Sequence, residues 1–403
     1  MSSIEQVMQK ISELENNAVE LMKSIVPIKA LGPLNNGEGE TAKAEYIINY
    51  LKSAGFSDIH EYPANDKSVP GGKRPNIAAI LKGEHKEKTV WILAHLDVVP
   101  EGDRSKWDTD PFEAVVKDGK IYGRGTEDNN QGLVSGIIAA QAFLDLGIKP
   151  KYNLGLMLVS DEETGSIFGL QHMVKNHKEL FKKDDLIVVP DAGEPDSSMI
   201  EVAEKSILWL KFKTVGKQVH ASTPEKGINA FKAASHLVVE LNKLHTMFDT
   251  KDEVFDPPIS TFEATKKEAN VPNVNTIPGE DVFYLDCRIL PNYTIQQVMD
   301  EAGKMCRDIE KKFDVKIEIS IAQKDEAAPP TPVDAPVVKA LEKAIKHVYK
   351  VDAKPMGIGG GTVAAIFRRA GYHAAVWSTL DDLAHQPNEY LSLIHISEPT
   401  RPY

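Results

Sequence analysis

Five short polar clusters in this chain have the residue types that bind divalent cations and move protons. His95-Leu96-Asp97 follows the apolar run Val90-Trp91-Ile92-Leu93, and Asp128 closes the segment Gly123-Arg124-Gly125-Thr126-Glu127-Asp128. Asp161-Glu162-Glu163 follows Leu156-Met157-Leu158-Val159, Asp191 follows Leu186-Ile187-Val188-Val189, and His385 stands far downstream. Carboxylates and imidazoles at the ends of apolar runs are costly to bury unless something pairs them. A pair of divalent cations would do so and would supply hydrolytic chemistry.

Each cluster taken alone has a plainer explanation. A histidine at a strand end is commonly structural, but Asp97, two residues on, shares the strand face of His95 and can hold the other ring nitrogen, fixing the tautomer for metal binding. Asp128 precedes a predicted helix, where Asp is also a favoured N-cap. The glycines before it lack the third glycine and basic partner of a phosphate loop. Glu162 and Glu163 read equally as a solvated acidic loop; as neighbours they point apart, so one could bind metal while the other acts as general base. Asp191 ends a strongly apolar strand, with Glu194 as a competitor for the same assignment.

The elements that must carry these residues alternate. Between about 40 and 205, predicted strands at 76–81, 89–94, 152–159 and 186–189 are interleaved with helices at 41–54, 130–146 and 168–181, and a hairpin turns at Asp118-Gly119. This is an α/β pattern with a mainly parallel sheet, in which ligands gather at the carboxyl ends of the strands. From 207 to 322 the order becomes β-α-β-β-α-β, a ferredoxin-like unit. The Pro-rich stretch 326–336 reads as a linker, followed by helices at 337–349 and 362–370 and a strand at 373–378. The expected organisation is a catalytic domain in two parts, 1–205 and 324–390, with a smaller domain, 206–323, inserted. At the N-terminus, Ile4, Val7, Met8, Ile11 and Leu14 have helical spacing, and Ser3 with Gln6 suggests a capping box.

A length of 403 residues suits two domains. A net charge of -12 leaves no basic surplus for non-specific nucleic-acid binding. Two cysteines, Cys287 and Cys306, suit a reducing compartment. The N-terminus lacks the apolar core of a signal peptide and no apolar run reaches membrane-span length, so a cytoplasmic protein without membrane association is expected.

In this order and context the motifs H-L-D-V-V-P, G-R-G-T-E-D, S-D-E-E-T-G and G-K-Q-V-H-A-S-T-P resemble the co-catalytic zinc metallopeptidase and deacylase family. That family includes acetylornithine deacetylase, succinyl-diaminopimelate desuccinylase, glutamate carboxypeptidase, aminoacylase and carnosinase-like dipeptidases. The resemblance implies two Zn2+ ions, with Co2+ or Mn2+ as substitutes, bridged by Asp128. His95 and Asp191 would complete one site, Glu163 and His385 the other. Asp97 would orient His95, Glu162 would be the general base and acid, and the Asp128–Asn129 peptide would be cis. His220 would reach the active site of a partner subunit in a homodimer formed through the inserted lid and dimerisation domain, and would polarise the scissile carbonyl. A surface-loop histidine is its plain alternative. Asn275 and Arg288 match substrate-carboxylate positions, against a sheet-capping Asn and an ordinary salt-bridged Arg. Gly361 and Thr362 could offer N–H groups to an anionic substrate, or Thr362 could simply cap a helix.

The implied substrates are small N-acyl amino acids or dipeptides. The segments I-E-V-A-E-K-S-I-L-W-L-K-F, N-T-I-P-G and D-C-R-I-L-P resemble archaeal succinyl-diaminopimelate desuccinylases, enzymes of amino-acid biosynthesis. Asp rather than Glu at 191 instead marks dipeptidase and aminopeptidase members. A non-catalytic binding protein on the same fold is a remote third reading, which the complete set of ligands and base disfavours. Residues 391–403 lack helical periodicity, carry Pro399 and Pro402, and resemble a translated sequencing adapter, so a non-native tail is expected there.

Overall fold

The computed structural model describes residues 2–393. The chain divides into two compact units: Met1–Val202 with Thr331–Pro355 and Thr362–Tyr403, and Ala203–Pro330 with Met356–Gly361. The short segment Met356–Gly361, placed by its sequence in the second part of the catalytic domain, groups with the inserted unit.

Eight strands build the large sheet: β1 (Ile59–Glu61), β2 (Ile77–Leu81), β3 (His85–His95), β4 (Tyr152–Val159), β5 (Leu186–Val189), β6 (Met199–Glu204), β7 (Lys354–Ile358) and β8 (Ala374–Val376). Their order is β1-β2-β4-β3-β5-β8-β6-β7. The centre, β4-β3-β5-β8, is parallel, as expected. Antiparallel pairs lie toward the flanks: β1 on β2, β2 on β4 and β6 on β8. Because side chains alternate along a strand, β3 feeds two cores. Trp91 and Leu93 pack with Met157, Ile187 and Phe367 in one. Ala94, with Val90 and Ile92 beside it, joins Ile137, Leu156 and the N-terminal helices in the other.

The helix Gln131–Leu146 is apolar nearly all round because it packs against both the sheet and the N-terminal helices. Gly147, at φ 64°, ends it in the left-handed conformation. The hairpin turns where expected, with Asp118 and Gly119 both at positive φ.

Gly155 on β4 pairs with Trp91 on β3, and a Cβ there would come within 2.4 Å of the indole ring. Trp91 has little room to yield: its Nε1–H donates to Asp185 at 3.0 Å and its ring packs against Phe181. Gly155→Ala therefore destabilises the catalytic unit by about 1–3 kcal/mol, read as a lower urea midpoint.

The inserted unit is a four-stranded antiparallel sheet in the order Thr261–Lys267, Glu280–Ile289, Ser206–Val215, Lys316–Asp325. Its helices, Ala230–Leu241 and Ile295–Phe313, share one core with Leu208, Phe212, Phe283 and Cys287. That strand order is the ferredoxin-like one expected from β-α-β-β-α-β. Both cysteines are buried in this core as free thiols.

Several expectations shift. The first helix, Ser3–Glu13, is capped one residue earlier than expected: Ser2 Oγ accepts from the Glu5 N–H, and the Ser2 N–H donates to the Glu5 carboxylate. The helix expected at 168–181 is only Leu170–Asn176, because His177 leaves helical geometry and a short 3-10 turn delivers Phe181 to the core. Thr362 is not a helix cap; the helix Ala364–Arg369 starts after Val363. Strands β6 and β7 were not expected. In β6, Glu201 masks the apolar pattern, yet it is buried because Arg368 pairs with it at 2.8 Å. At the C-terminus, Tyr390–Ser392 pairs with the hairpin strand Lys120–Tyr122 and buries Leu391. The remainder of the adapter-like stretch, 394–403, lies outside the described residues. Among the described residues no helix is long and apolar enough to cross a membrane.

Candidate metal centre

The acidic and histidine residues of the catalytic unit converge at the carboxyl ends of the parallel strands. His95 is the last residue of β3, Glu162 and Glu163 open the turn after β4, and Asp191 follows β5. Asp128 enters from the loop before Gln131–Leu146, where the Asp128–Asn129 peptide is cis as expected. Asp128 faces two histidines: Oδ1 lies 2.9 Å from His95 Nε2, and Oδ2 lies 3.1 Å from His385 Nε2. His385 Nε2 is also 3.1 Å from Glu163 Oε2, and His95 Nε2 is 3.6 Å from Asp191 Oδ1.

Asp97 contacts His95 chiefly through its backbone carbonyl and not, as expected, its carboxylate. The nearest partner of His95 Nδ1 is the Asp97 backbone carbonyl, at 2.9 Å; the Asp97 carboxylate is farther, at 3.5 Å. That carboxylate instead accepts the backbone N–H groups of Glu162 and Glu163, at 3.1 and 3.0 Å. One residue thus turns His95 Nε2 toward the site through its carbonyl and pins the turn carrying Glu162 and Glu163 through its side chain. Asp191 is held in turn by Asn129, whose side-chain N–H groups reach Asp191 Oδ1 and the Pro190 carbonyl.

The donor set fits divalent cations. Two groups, His95-Glu162-Asp191 and His95-Asp128-Glu163, each bring their ligand atoms within 4.8 Å of one another. Asp191, not Glu194, completes the first. Glu163 Oε1 is buried without a hydrogen-bond partner, an acceptor that a cation would satisfy. Imidazole nitrogen and carboxylate oxygen suit zinc and its neighbours.

The electrostatics agree. Burial and the charge of Asp191 push Glu162 well above the usual carboxylate range. Glu163 is raised, chiefly by burial. Hydrogen bonds to Asp128 and Glu163 lift His385 up to about 10. Burial opposes a charged His95, but Asp128, Asp191 and Asp97 outweigh it and raise it well above normal. Carboxylates that hold protons on imidazoles in this way present the negative field that a cation would neutralise. Glu162 also borders an apolar recess shared with Leu93, Val159 and Val363.

Within the inserted unit, Val219–His220 pairs with Thr276–Ile277. This brings Asn275 Nδ2 to 3.5 Å from His220 Nε2, while His220 Nδ1 lies 2.7 Å from Ser222 Oγ. Arg288 is already engaged: Nε and Nη2 donate to Asp286 at 2.8 and 3.1 Å, and Nη1 donates to the Gly359 carbonyl at 2.8 Å. Its salt-bridged alternative describes this state. Thr362 Oγ1 donates to Glu201 at 3.4 Å. Gly361 falls in the inserted unit and Thr362 in the catalytic one.

Sequence reasoning passed over Glu127, Arg124 and Glu389, which surround the Asp128 loop. Glu127 and Glu389 lie inside the G-R-G-T-E-D and H-Q-P-N-E segments, but nothing in periodicity or spacing distinguishes a buried carboxylate from a surface one.

Comparison with known proteins agrees with this geometry. Residues 91–400 match Peptidase family M20/M25/M40. An uncharacterized metallohydrolase of Methanocaldococcus jannaschii is 44% identical, over 94% of this chain and 96% of that protein. A succinyl-diaminopimelate desuccinylase of Nautilia profundicola is 27% identical, over 93% of this chain and 94% of that protein. Human carnosine dipeptidase 1 shares the fold, with a TM-score of 0.72 at 20% identity, covering 99% of this chain and 96% of that one. The chain belongs to the M20/M25/M40 peptidase family of metal-dependent hydrolases that cleave carbon–nitrogen bonds.

Proposed function

We propose that the chain is a dinuclear zinc hydrolase that removes the acyl group from small N-acyl amino acids, in the manner of succinyl-diaminopimelate desuccinylase. The observation that carries the two-ion reading is Asp128, whose two oxygens face different histidines, His95 and His385. In this reading Asp128 would be shared by both ions, with His95 and Asp191 holding one and Glu163 and His385 the other. When bound, the ions would polarise the amide carbonyl and lower the pKa of a water molecule. Glu162 would accept a proton from the attacking water and pass it to the leaving nitrogen. Its raised proton affinity suits a group that must hold a proton between the two transfers.

The partner subunit's His220 stabilises the developing oxyanion in a homodimer joined through the inserted unit, with Asn275 and Ser222 setting the ring. Asn275, Arg288, Gly361 and Thr362 are proposed to contact the substrate; Arg288 would exchange part of its bond to Asp286 for a substrate carboxylate. A cytoplasmic setting agrees with two cysteines kept as buried thiols.

Asp191 favours a second reading, a metallo-dipeptidase or aminopeptidase. Zinc-loaded protein assayed side by side on N-succinyl-diaminopimelate, N-acetylornithine and a dipeptide panel separates them. The proposal expects kcat/KM for the succinylated substrate to exceed the others by at least about tenfold, a 1.4 kcal/mol preference. Turnover confined to dipeptides would replace it with the second reading.

A further inference from the structure

Two buried carboxylates tie the loop of Asp128 to the loop of His385, each reaching from one loop into the other. Glu389, four residues after His385, is completely buried. Its Oε1 accepts the N–H groups of Glu127 and Asp128, at 2.8 and 3.1 Å. Its Oε2 accepts from the Gly125 N–H at 3.0 Å and from Arg124 Nη1 at 2.6 Å. In the opposite direction, Glu127, the residue before Asp128, accepts the N–H groups of Asp381 and Leu383, just ahead of His385. The carbonyl of Glu389 also accepts from the Gly123 N–H at 3.0 Å. Arg124 is buried as well, with its guanidinium 5.2 Å from the Trp107 ring centroid.

We propose that Glu127 and Glu389 are positioning residues: a reciprocal latch that holds Asp128 and His385 as one preformed unit for metal. This rests on the two-ion reading above. The hydrogen-bond pattern gives the latch its sense. All four carboxylate oxygens receive only N–H donors, and one of those donors is the N–H of Asp128 itself. A glutamine at either position offers one carbonyl oxygen and turns an NH2 group toward donors, which leaves buried N–H groups unpaired. Loop geometry is then released although every proposed metal ligand remains.

The two arms of the latch should fail differently. Glu389 grips the backbone of Asp128, which is common to both sites. Glu127 grips only the segment leading to His385, which belongs to one.

The test is a Co2+ titration of metal-free protein, followed by visible d–d absorption, on wild type, Glu127→Gln, Glu389→Gln and the double variant. Glu127→Gln is expected to weaken one of two Co2+ equivalents by about 10- to 100-fold and leave the other close to wild type. Glu389→Gln is expected to weaken both, and the double variant less than the product of the two. Thermal melting of the metal-free proteins supplies the structural comparison. Lower melting temperatures with both Co2+ affinities unchanged would overturn the latch, as would equal weakening of both equivalents by Glu127→Gln. If Glu389→Gln does not accumulate as folded protein, the contrast between the two equivalents in Glu127→Gln decides alone. Wild-type protein that takes up fewer than two equivalents overturns the two-ion reading itself, a failure visible before any variant is compared.

Discussion

Replacing Glu162 by Gln is expected to lower kcat by about 10^3-fold, or about 4 kcal/mol in barrier, while the protein still takes up its full metal complement. The substitution keeps the shape of the side chain and removes its capacity to accept and return a proton. Glu162 shares the recess with His95 and Asp191, so its carboxylate lies beside two of the proposed metal ligands. Its backbone N–H is fixed by Asp97, so the turn keeps its geometry when the side-chain charge is lost. Metal content by atomic emission and single-turnover kinetics check both halves of the expectation. Loss of an ion in Glu162→Gln would make Glu162 a ligand, since it does belong to one of the two metal-capable groups. Activity within a few fold of wild type would remove it from proton transfer altogether.

The sequence carried the candidate ligands further than it carried their support. His95, Asp128, Glu163, Asp191 and His385 each end or follow an apolar run or sit in a recognisable motif, and folding brings all five together. The supporting contacts depend on backbone groups that have no sequence signature. Asp97 beside His95 suggested a carboxylate–imidazole pair, but the strand end turns the Asp97 carbonyl to the ring and its carboxylate to the Glu162 turn. Strand β6 was missed because Glu201 breaks its apolar run; the Arg368 guanidinium that permits its burial lies far away in sequence. The Trp91–Gly155 pair behaves similarly, since a glycine within a strand does not show which ring lies beside it. The hairpin, the helix end at Gly147 and the β-α-β-β-α-β order were legible or locally encoded because turn residues and periodicity act over a few positions.

Asp128→Asn is expected to cost both ions together and to bring turnover to the uncatalysed background, a loss on the order of 10^6-fold or more. Each Asp128 oxygen serves a different histidine, so an amide retains one good acceptor and turns an NH2 group toward the second position. The retained oxygen cannot hold one ion well on its own. In the proposed assignment, with His95 and Asp191 at one site and Glu163 and His385 at the other, each ion would be left with one carboxylate and one imidazole, short of a tetrahedral set. Asp191→Asn provides the contrast: it touches the His95 side only, so one ion should leave while the ion held by Glu163 and His385 stays. Equilibrium dialysis against Zn2+ reads the stoichiometries directly. If Asp128→Asn kept a single tightly bound ion while Asp191→Asn kept none, the bridge would belong to Asp191, and the assignment of the two sites would have to be exchanged.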